Sequence, residues 1–282
     1  MANQIVITFV ILVLIIAGLA FFLFFWPELR LKRIIGEPFS PRWRLILRKQ
    51  LPIYLRMPPD LQLQLRNLIK QFIADKRFVG CAGQTITDEI RVTIAAHACL
   101  LLLNRRTDCY PQLRSVLVYP STFVARRQVT GAGGVVSERS HAMLGESWST
   151  GIVVLAWDDV RRSVADFSDG HNVVLHEFAH QLDHEDGADN GAPLLATRGA
   201  YQSWSKVLAE EFAALQHQVW QQQTQVDQAS LLDTYGATNP AEFFAVATET
   251  FFERAAEMQS RHPQLYEELR GFYRVNPADW QI

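Results

Sequence analysis

The sequence predicts an α+β domain preceded by one N-terminal transmembrane helix, and three patterns carry this prediction. Residues 5–26 contain no charged side chain and are mostly aliphatic or aromatic. Two short runs, 115–119 and 151–157, have the β-branched and apolar composition of strands. Other segments repeat apolar residues at helical spacing, most clearly at 61–73. The chain has 282 residues, 49% hydrophobic and 20% charged, which suits a globular domain of ordinary composition.

The apolar N-terminal run has the length of a membrane span. At ~1.5 Å per residue, residues 5–26 would make a helix of ~33 Å, and a bilayer core is ~30 Å thick. Lysine and arginine are frequent after Trp26 and absent before the run. A cleaved signal peptide would need such basic residues at its start. The positive-inside rule therefore predicts a single-pass protein of the inner (cytoplasmic) membrane, anchored by residues 5–26, with everything after Trp26 in the cytoplasm.

Composition excludes some classes and divides the chain into three parts. A formal net charge of -2, with no basic stripe, argues against nucleic-acid binding. The three cysteines form no CxxC pair and indicate reduced thiols rather than a disulfide framework. We expect a transmembrane anchor at 1–27, a basic, proline-punctuated juxtamembrane linker at 28–57, and a domain at 58–282.

Within that domain, element boundaries follow from capping and turn residues. Thr87, Asn172 and Asn239 each precede a helix-compatible segment and are suited to accept hydrogen bonds from its first turn. Residues 128–140, with several glycines, are typical of a mobile loop or hairpin, and the glutamine-rich stretch 208–228 is typical of an exposed helix.

The pattern that carries chemistry is His176-Glu177-x-x-His180, inside an apolar, helix-compatible run. Positions i and i+4 lie one above the other on a helix, so both imidazoles can reach one metal ion. Glu177 directly follows the first histidine, where its carboxylate can act as a general base on a metal-bound water. This combination of residue types and spacing is typical of zinc hydrolases.

A catalytic zinc site usually has three protein ligands, and the sequence offers three candidates for the third. Asp186 lies ten residues after His176, but the glycine that would turn the chain back to the metal is missing between them. Glu242 and Glu249 lie two turns apart on one face of a predicted later helix. Glu242 could instead complete a capping box with Asn239. Spacing alone does not separate Glu242 from Glu249 as ligand and outer partner.

Four blocks of sequence resemble the Mlc titration factor A family of bacterial zinc peptidases. They are TDE at 87–89, GESW at 145–148, HEFAHQLD at 176–183 and YGATNPAEFFAVATE at 235–249. Proteins of that family look like the catalytic domain of anthrax lethal factor, so the resemblance implies a zincin-like domain. It also implies His176, His180 and Glu242 as zinc ligands, Glu177 as general base and Tyr235 as the group that steadies the oxyanion.

The resemblance further implies an aminopeptidase-like activity on peptides or proteins and a link to a transcriptional repressor. We therefore expect a membrane-tethered, zinc-dependent peptidase that hydrolyses peptide bonds through a zinc-activated water. The alternative is a non-catalytic or vestigial zinc domain that binds and sequesters a transcriptional regulator. The strand at 151–157 could pair with an extended substrate, or it could be an interior core strand.

Overall fold

The structure is a computed structural model that describes residues 2–105, 109–121, 124–130, 136–142, 151–222 and 230–280. The chain divides into two compact units, Met1–Ser40 and Pro41–Ile282. The metal-binding motif lies in the second of these units.

The first unit consists of interrupted helix. Helix α1 covers Ala2–Ala20, a π-helical segment covers Phe21–Phe25, and α2 covers Trp26–Gly36. The apolar run at 5–26 is thus divided between separate elements. Among the helices in the described ranges, none has both the length and the apolarity needed to cross a membrane. The predictions of an N-terminal transmembrane helix, a membrane partner and a single-pass inner-membrane location are therefore wrong.

The second unit combines nine described helices with five short strands. The helices are α3 Pro41–Gln50, α4 Pro59–Asp75, α5 Asp88–Leu100, α6 Trp157–Ala165, α7 Val173–Asp183, α8 Arg198–Gln222, α9 Pro240–Glu253, α10 Ala255–Arg261 and α11 Pro263–Tyr273. The strands are β1 Arg77–Gly80, β2 Ser115–Tyr119, β3 Val124–Thr130, β4 Val136–Ala142 and β5 Ile152–Ala156. The described chain is thus mostly helical, and the predicted α+β class is corrected accordingly.

The strands form two small sheets. Strands β1, β2 and β5 make a parallel sheet in that order, with Val116 paired to Phe78 on one side and Val153 on the other. Strands β3 and β4 pair with each other in antiparallel orientation, and they overlap the region 128–140 predicted as a mobile loop or hairpin. The sequence correctly indicated the strands at β2 and β5. Their contribution to the fold is small because each has only five residues.

Capping residues begin the functional helices where the sequence predicts. The side chain of Thr87 accepts from the Ile90 N–H, and that of Asn239 accepts from the Glu242 N–H. Asn172 accepts from two N–H groups at the start of α7. Helix α7 is buried along most of its length and packs against α9, α5 and β5. This packing brings the two segments with candidate ligands side by side.

Candidate metal centre

Helix α7 presents both histidines of the motif to one point. The Nε2 atoms of His176 and His180 lie 3.2 Å apart, and the two ring centroids are 4.9 Å apart. His180 is fully buried, and the side chain of His176 is 16% exposed. The one-turn spacing therefore aims two ring nitrogens at a common position beside a solvent-accessible face.

Helix α9 supplies a carboxylate at the same position. The Oε2 atom of Glu242 lies 3.1 Å from His176 Nε2 and 3.5 Å from His180 Nε2. The backbone N–H of Glu242 is already used in the Asn239 cap, so the helix start is fixed while the carboxylate points at the imidazoles. His176, His180 and Glu242 thus form a group of three side chains that could hold a metal ion.

The spacing of the three ligand atoms fits a small divalent metal. Metal–ligand distances of ~2.0–2.2 Å in a tetrahedral zinc site separate neighbouring ligand atoms by ~3.3–3.6 Å. The three observed separations of 3.1, 3.2 and 3.5 Å lie within ~0.2 Å of this range. Two imidazoles and one carboxylate are also the donor types of catalytic zinc sites. The donor set therefore fits the metal that the motif predicts.

Glu249 binds the opposite nitrogen of the first histidine. Its Oε1 atom lies 2.7 Å from His176 Nδ1, and its other oxygen accepts the backbone N–H of Asn172. A carboxylate at Nδ1 keeps the proton there and leaves the Nε2 lone pair free for a metal. The geometry thus gives Glu249 and Glu242 different positions, one behind the imidazole and one in front of it.

The electrostatics of the group favour a cation. Burial alone would lower the pKa of His176, but Glu249, Glu242 and Glu177 together raise it well above the usual value. Burial dominates at His180 and lowers its pKa. Burial would raise the pKa of Glu242, yet hydrogen bonds from the two histidines bring it down to about 2. Three carboxylates around two imidazoles leave negative charge that a divalent metal would neutralise.

Glu177 and Tyr235 lie beside the three candidate ligands. Glu177 is 2% exposed, and its charge raises the pKa of both His176 and Tyr235. The Tyr235 ring centroid is 6.1 Å from that of His176, and the Glu242 carboxylate acts on the tyrosine hydroxyl to raise its pKa. Burial first, and then the two carboxylates, raise the pKa of Tyr235, so its hydroxyl stays protonated.

A short turn orients Tyr235. The 3-10 helix Thr234–Ala237 begins at Asp233, whose Oδ1 accepts the Tyr235 N–H at 2.7 Å. The other carboxylate oxygen of Asp233 pairs with His171 Nδ1 at 3.1 Å, which links the turn to the segment just before α7. Asp186, the alternative ligand considered from the sequence, is exposed and accepts a hydrogen bond from the Ala188 N–H. It does not join the group of candidate ligands.

Asp183 anchors the loop after α7. It is fully buried at the end of that helix, and its Oδ2 accepts the Gly191 N–H at 2.8 Å. Burial raises the pKa of Asp183 to about 6, although hydrogen bonds from Gly191 and Ala192 oppose the shift. The Gly191 carbonyl in turn accepts from Trp204 Nε1 at 2.9 Å. The loop is therefore held between α7 and α8.

Gly191 also packs against the start of α9. Its φ of 75° lies in the region that glycine adopts most easily. A Cβ added there would lie 2.7 Å from the carbonyl carbon of Pro240, two residues before Glu242. The backbone of the loop at Gly191 thus sets how closely the first turn of α9 can approach that loop.

We expect Gly191→Ala to weaken metal binding about tenfold and to lower the free energy of unfolding by ~2–4 kcal/mol. An alanine at this φ is strained, and its methyl group would push Pro240 and the turn that carries Glu242 outward. Competition with a coloured chelator measures the affinity, and thermal unfolding of the metal-free chain measures the stability.

Gly187→Ala is the matched control for this substitution. Gly187 also has positive φ, at 87°, but an added Cβ would meet no atom within 4 Å. The control should cost ~1–2 kcal/mol of stability and leave metal affinity unchanged. Equal metal affinities for the two alanine variants would contradict a role for the Gly191–Pro240 approach.

Comparison with known proteins agrees with a metal centre at this position. The profile of the family described as glucose-regulated metallo-peptidase M90 matches residues 26–274. The chain belongs to this family. The predicted resemblance to Mlc titration factor A proteins is thereby confirmed, and membership of this metallopeptidase family implies a divalent metal. The GESW block at 145–148, which contributed to the resemblance, lies outside the described residues.

Relatives of this M90 family member match it over most of their own length. A Synechocystis sp. protein named Uncharacterized protein slr2042 is 42% identical over 253 residues, which cover 89% of this chain and 90% of that protein. Mlc titration factor A of Klebsiella pneumoniae is 31% identical over 228 residues, covering 80% of this chain and 84% of its own length. The protein of the same name from Yersinia pestis is 31% identical over 228 residues, covering 80% and 82%.

Proposed function

We propose that this chain is a zinc-dependent peptidase with aminopeptidase-like specificity. The observation that carries the proposal is the convergence of His176 Nε2, His180 Nε2 and Glu242 Oε2 within 3.5 Å of one another, beside buried Glu177. Membership of a metallopeptidase family supports the reaction class. All five site residues fall within 58–282, which we propose as the peptidase part of the chain.

In this proposal His176, His180 and Glu242 hold the metal. A bound divalent ion would polarise the scissile carbonyl and lower the pKa of water at the site. Glu177 takes a proton from the attacking water as the new C–O bond forms. It then delivers that proton to the leaving amine as the C–N bond breaks, so no net proton is gained or lost. The Tyr235 hydroxyl, protonated at neutral pH, donates a hydrogen bond to the developing oxyanion.

The edge of the small sheet supports a peptide substrate. Strand β5 pairs with β2 on one side, and within the described ranges it has no strand on its other side. Strand β5 also contacts α7, and we propose that an extended peptide adds along its free edge. The alternative, an interior core strand, agrees with the burial of most β5 side chains.

Metal analysis combined with a peptide panel tests the proposal. The purified chain should bind about one zinc ion and cleave short peptides with free N-termini faster than the same peptides with acetylated N-termini. A chelator should abolish cleavage, and added zinc should restore it. Cleavage that survives metal removal, or a chain that binds no zinc, would overturn the proposal. Equal rates on free and acetylated peptides would overturn only the aminopeptidase-like specificity.

A second candidate function is the binding of a transcriptional regulator. It is favoured by the name Mlc titration factor A, which several of the matching relatives carry. Calorimetric titration of the zinc-loaded chain with purified Mlc protein tests it. Tight binding together with no hydrolysis of any peptide would favour this second function over the first.

A further inference from the structure

Three carboxylates form a stripe along the face of α9 that packs against α7. Glu242, Glu249 and Glu253 are spaced by seven and four residues, which places them within ~40° of one another around the helix axis. Glu242 reaches both imidazole Nε2 atoms, and Glu249 reaches His176 Nδ1. Glu253, one turn further along, binds the segment that precedes α7.

Glu253 binds two donors at the start of the metal-binding helix. Its Oε1 accepts from Asn172 Nδ2 at 2.9 Å, and its Oε2 accepts the Gly170 N–H at 3.1 Å. Both bonds are buried, and the residue is only 3% exposed. Gly170 has φ of 85°, and a Cβ there would lie 3.2 Å from Arg254 Cδ, so this segment passes close to the end of α9.

Asn172 transmits this contact to the helix. Its side-chain oxygen accepts from the Val174 and Leu175 N–H groups at 3.2 and 3.1 Å, and its backbone N–H donates to Glu249. The amide can therefore adopt only one orientation, because a flipped amide would turn its NH₂ group toward the helix N–H groups. Glu253 accepts from that NH₂ group and so holds the cap in the working orientation.

A carboxyl group in this position is costly for the fold. Burial raises the pKa of Glu253 to about 9, even though hydrogen bonds from Asn172 and Gly170 oppose the shift. An apolar residue of similar size would avoid this desolvation. The carboxyl group therefore serves to hold the Asn172 side chain and the Gly170 N–H, and not to stabilise the fold.

We infer that Glu253 is a positioning residue of the metal centre, which acts through Asn172 to set where α7 begins and so how its histidines meet Glu242. The start of α7 is one turn before His176, so a shift of the cap would move the Nε2 atoms away from the Glu242 carboxylate. This inference rests on the proposed metal site and not on hydrolysis.

Glu253→Gln in the full chain tests the inference through metal affinity. Glutamine can accept one of the two bonds but turns an NH₂ group toward a donor, so the cap loses its fixed orientation. We expect zinc affinity, measured by chelator competition, to fall at least about tenfold. The melting temperature of the metal-free chain should stay the same or rise. Glu257→Gln, at an exposed glutamate of α10 that pairs with Arg254, should change neither property.

A double substitution that exchanges the donor and the acceptor between Asn172 and Glu253 separates positioning from a purely structural role. Asn172→Asp keeps the cap acceptor but loses the NH₂ donor, so alone it should weaken zinc affinity as Glu253→Gln does. In the double variant the introduced glutamine no longer faces a donor, because its NH₂ group can donate to the introduced aspartate while its oxygen accepts from the Gly170 N–H. Zinc affinity should therefore recover by at least about threefold over either single variant.

Three outcomes decide the matter. Unchanged zinc affinity in Glu253→Gln would overturn the inference, and so would a double variant that binds zinc no better than the single ones. A fall in affinity that merely follows a fall in metal-free stability would also overturn it. A wild-type chain without zinc affinity would instead overturn the proposed metal centre itself.

Discussion

Replacing Glu177 with glutamine is expected to lower the rate of peptide hydrolysis by ~10²–10⁴-fold while zinc stays bound. Glutamine has nearly the same shape as glutamate but cannot take a proton from the attacking water. Glu177 is not among the three side chains whose ligand atoms converge, so the metal-binding group remains complete. Initial rates on a peptide with a free N-terminus, together with zinc content by mass spectrometry, measure the two properties.

Asp186→Asn is the matched control for this experiment. Asp186 lies nine residues further along the chain, at the end of the 3-10 turn that follows α7, and asparagine can still accept the Ala188 N–H. The control should keep both the activity and the zinc. If Glu177→Gln retained most of the activity, Glu177 would not be the general base. If the Glu177→Gln variant lost its zinc, the role of Glu177 would be structural.

The part of the site that the sequence could predict is the part set by local geometry. His176, Glu177 and His180 fall within five consecutive residues, and a single helical turn is enough to bring the two imidazoles together. The caps at Asn172 and Asn239 are equally local, because each depends only on the three residues that follow. Such features need no knowledge of how distant segments pack.

The division of roles between Glu242 and Glu249 required the tertiary structure. The two residues share one face of α9, so helical periodicity makes both available to α7. Which of them reaches Nε2 and which reaches Nδ1 depends on how far one helix is shifted along the other. The same holds for Glu253, whose only signal in the sequence is a third glutamate on that face, after two buried phenylalanines.

The errors at the level of the fold have a similar cause. Composition detects apolar runs at 5–26, 115–119 and 151–157. It does not show where such a run is interrupted, or how large a share of the fold the strands make up. The first run is split by the π-helical segment Phe21–Phe25. The other two become strands of five residues within a chain that is mostly helix. Helices α3, α6, α10 and α11 carried no distinct signal in the sequence analysis.

Parallel substitutions of Glu242 and Glu249 with glutamine should separate a metal ligand from the partner behind it. Glu242→Gln replaces a charged ligand atom by a neutral one directly at the metal position. We expect zinc affinity to fall by more than ~100-fold. Glu249→Gln leaves the three ligand atoms in place but turns an NH₂ group toward either His176 Nδ1 or the Asn172 N–H. The expected loss is ~10–100-fold.

The two variants should also differ in how the remaining site behaves. In Glu249→Gln, the proton of His176 is no longer held at Nδ1, so zinc must displace it from Nε2 in part of the molecules. A site saturated with zinc should still support hydrolysis. In Glu242→Gln, saturation with zinc should restore little activity, because only two strong protein ligands remain. Chelator competition followed by rate measurements at saturating zinc tests both expectations. The reverse order of affinities would make Glu249 the ligand, and the positions now given to the two carboxylates around His176 would have to be exchanged.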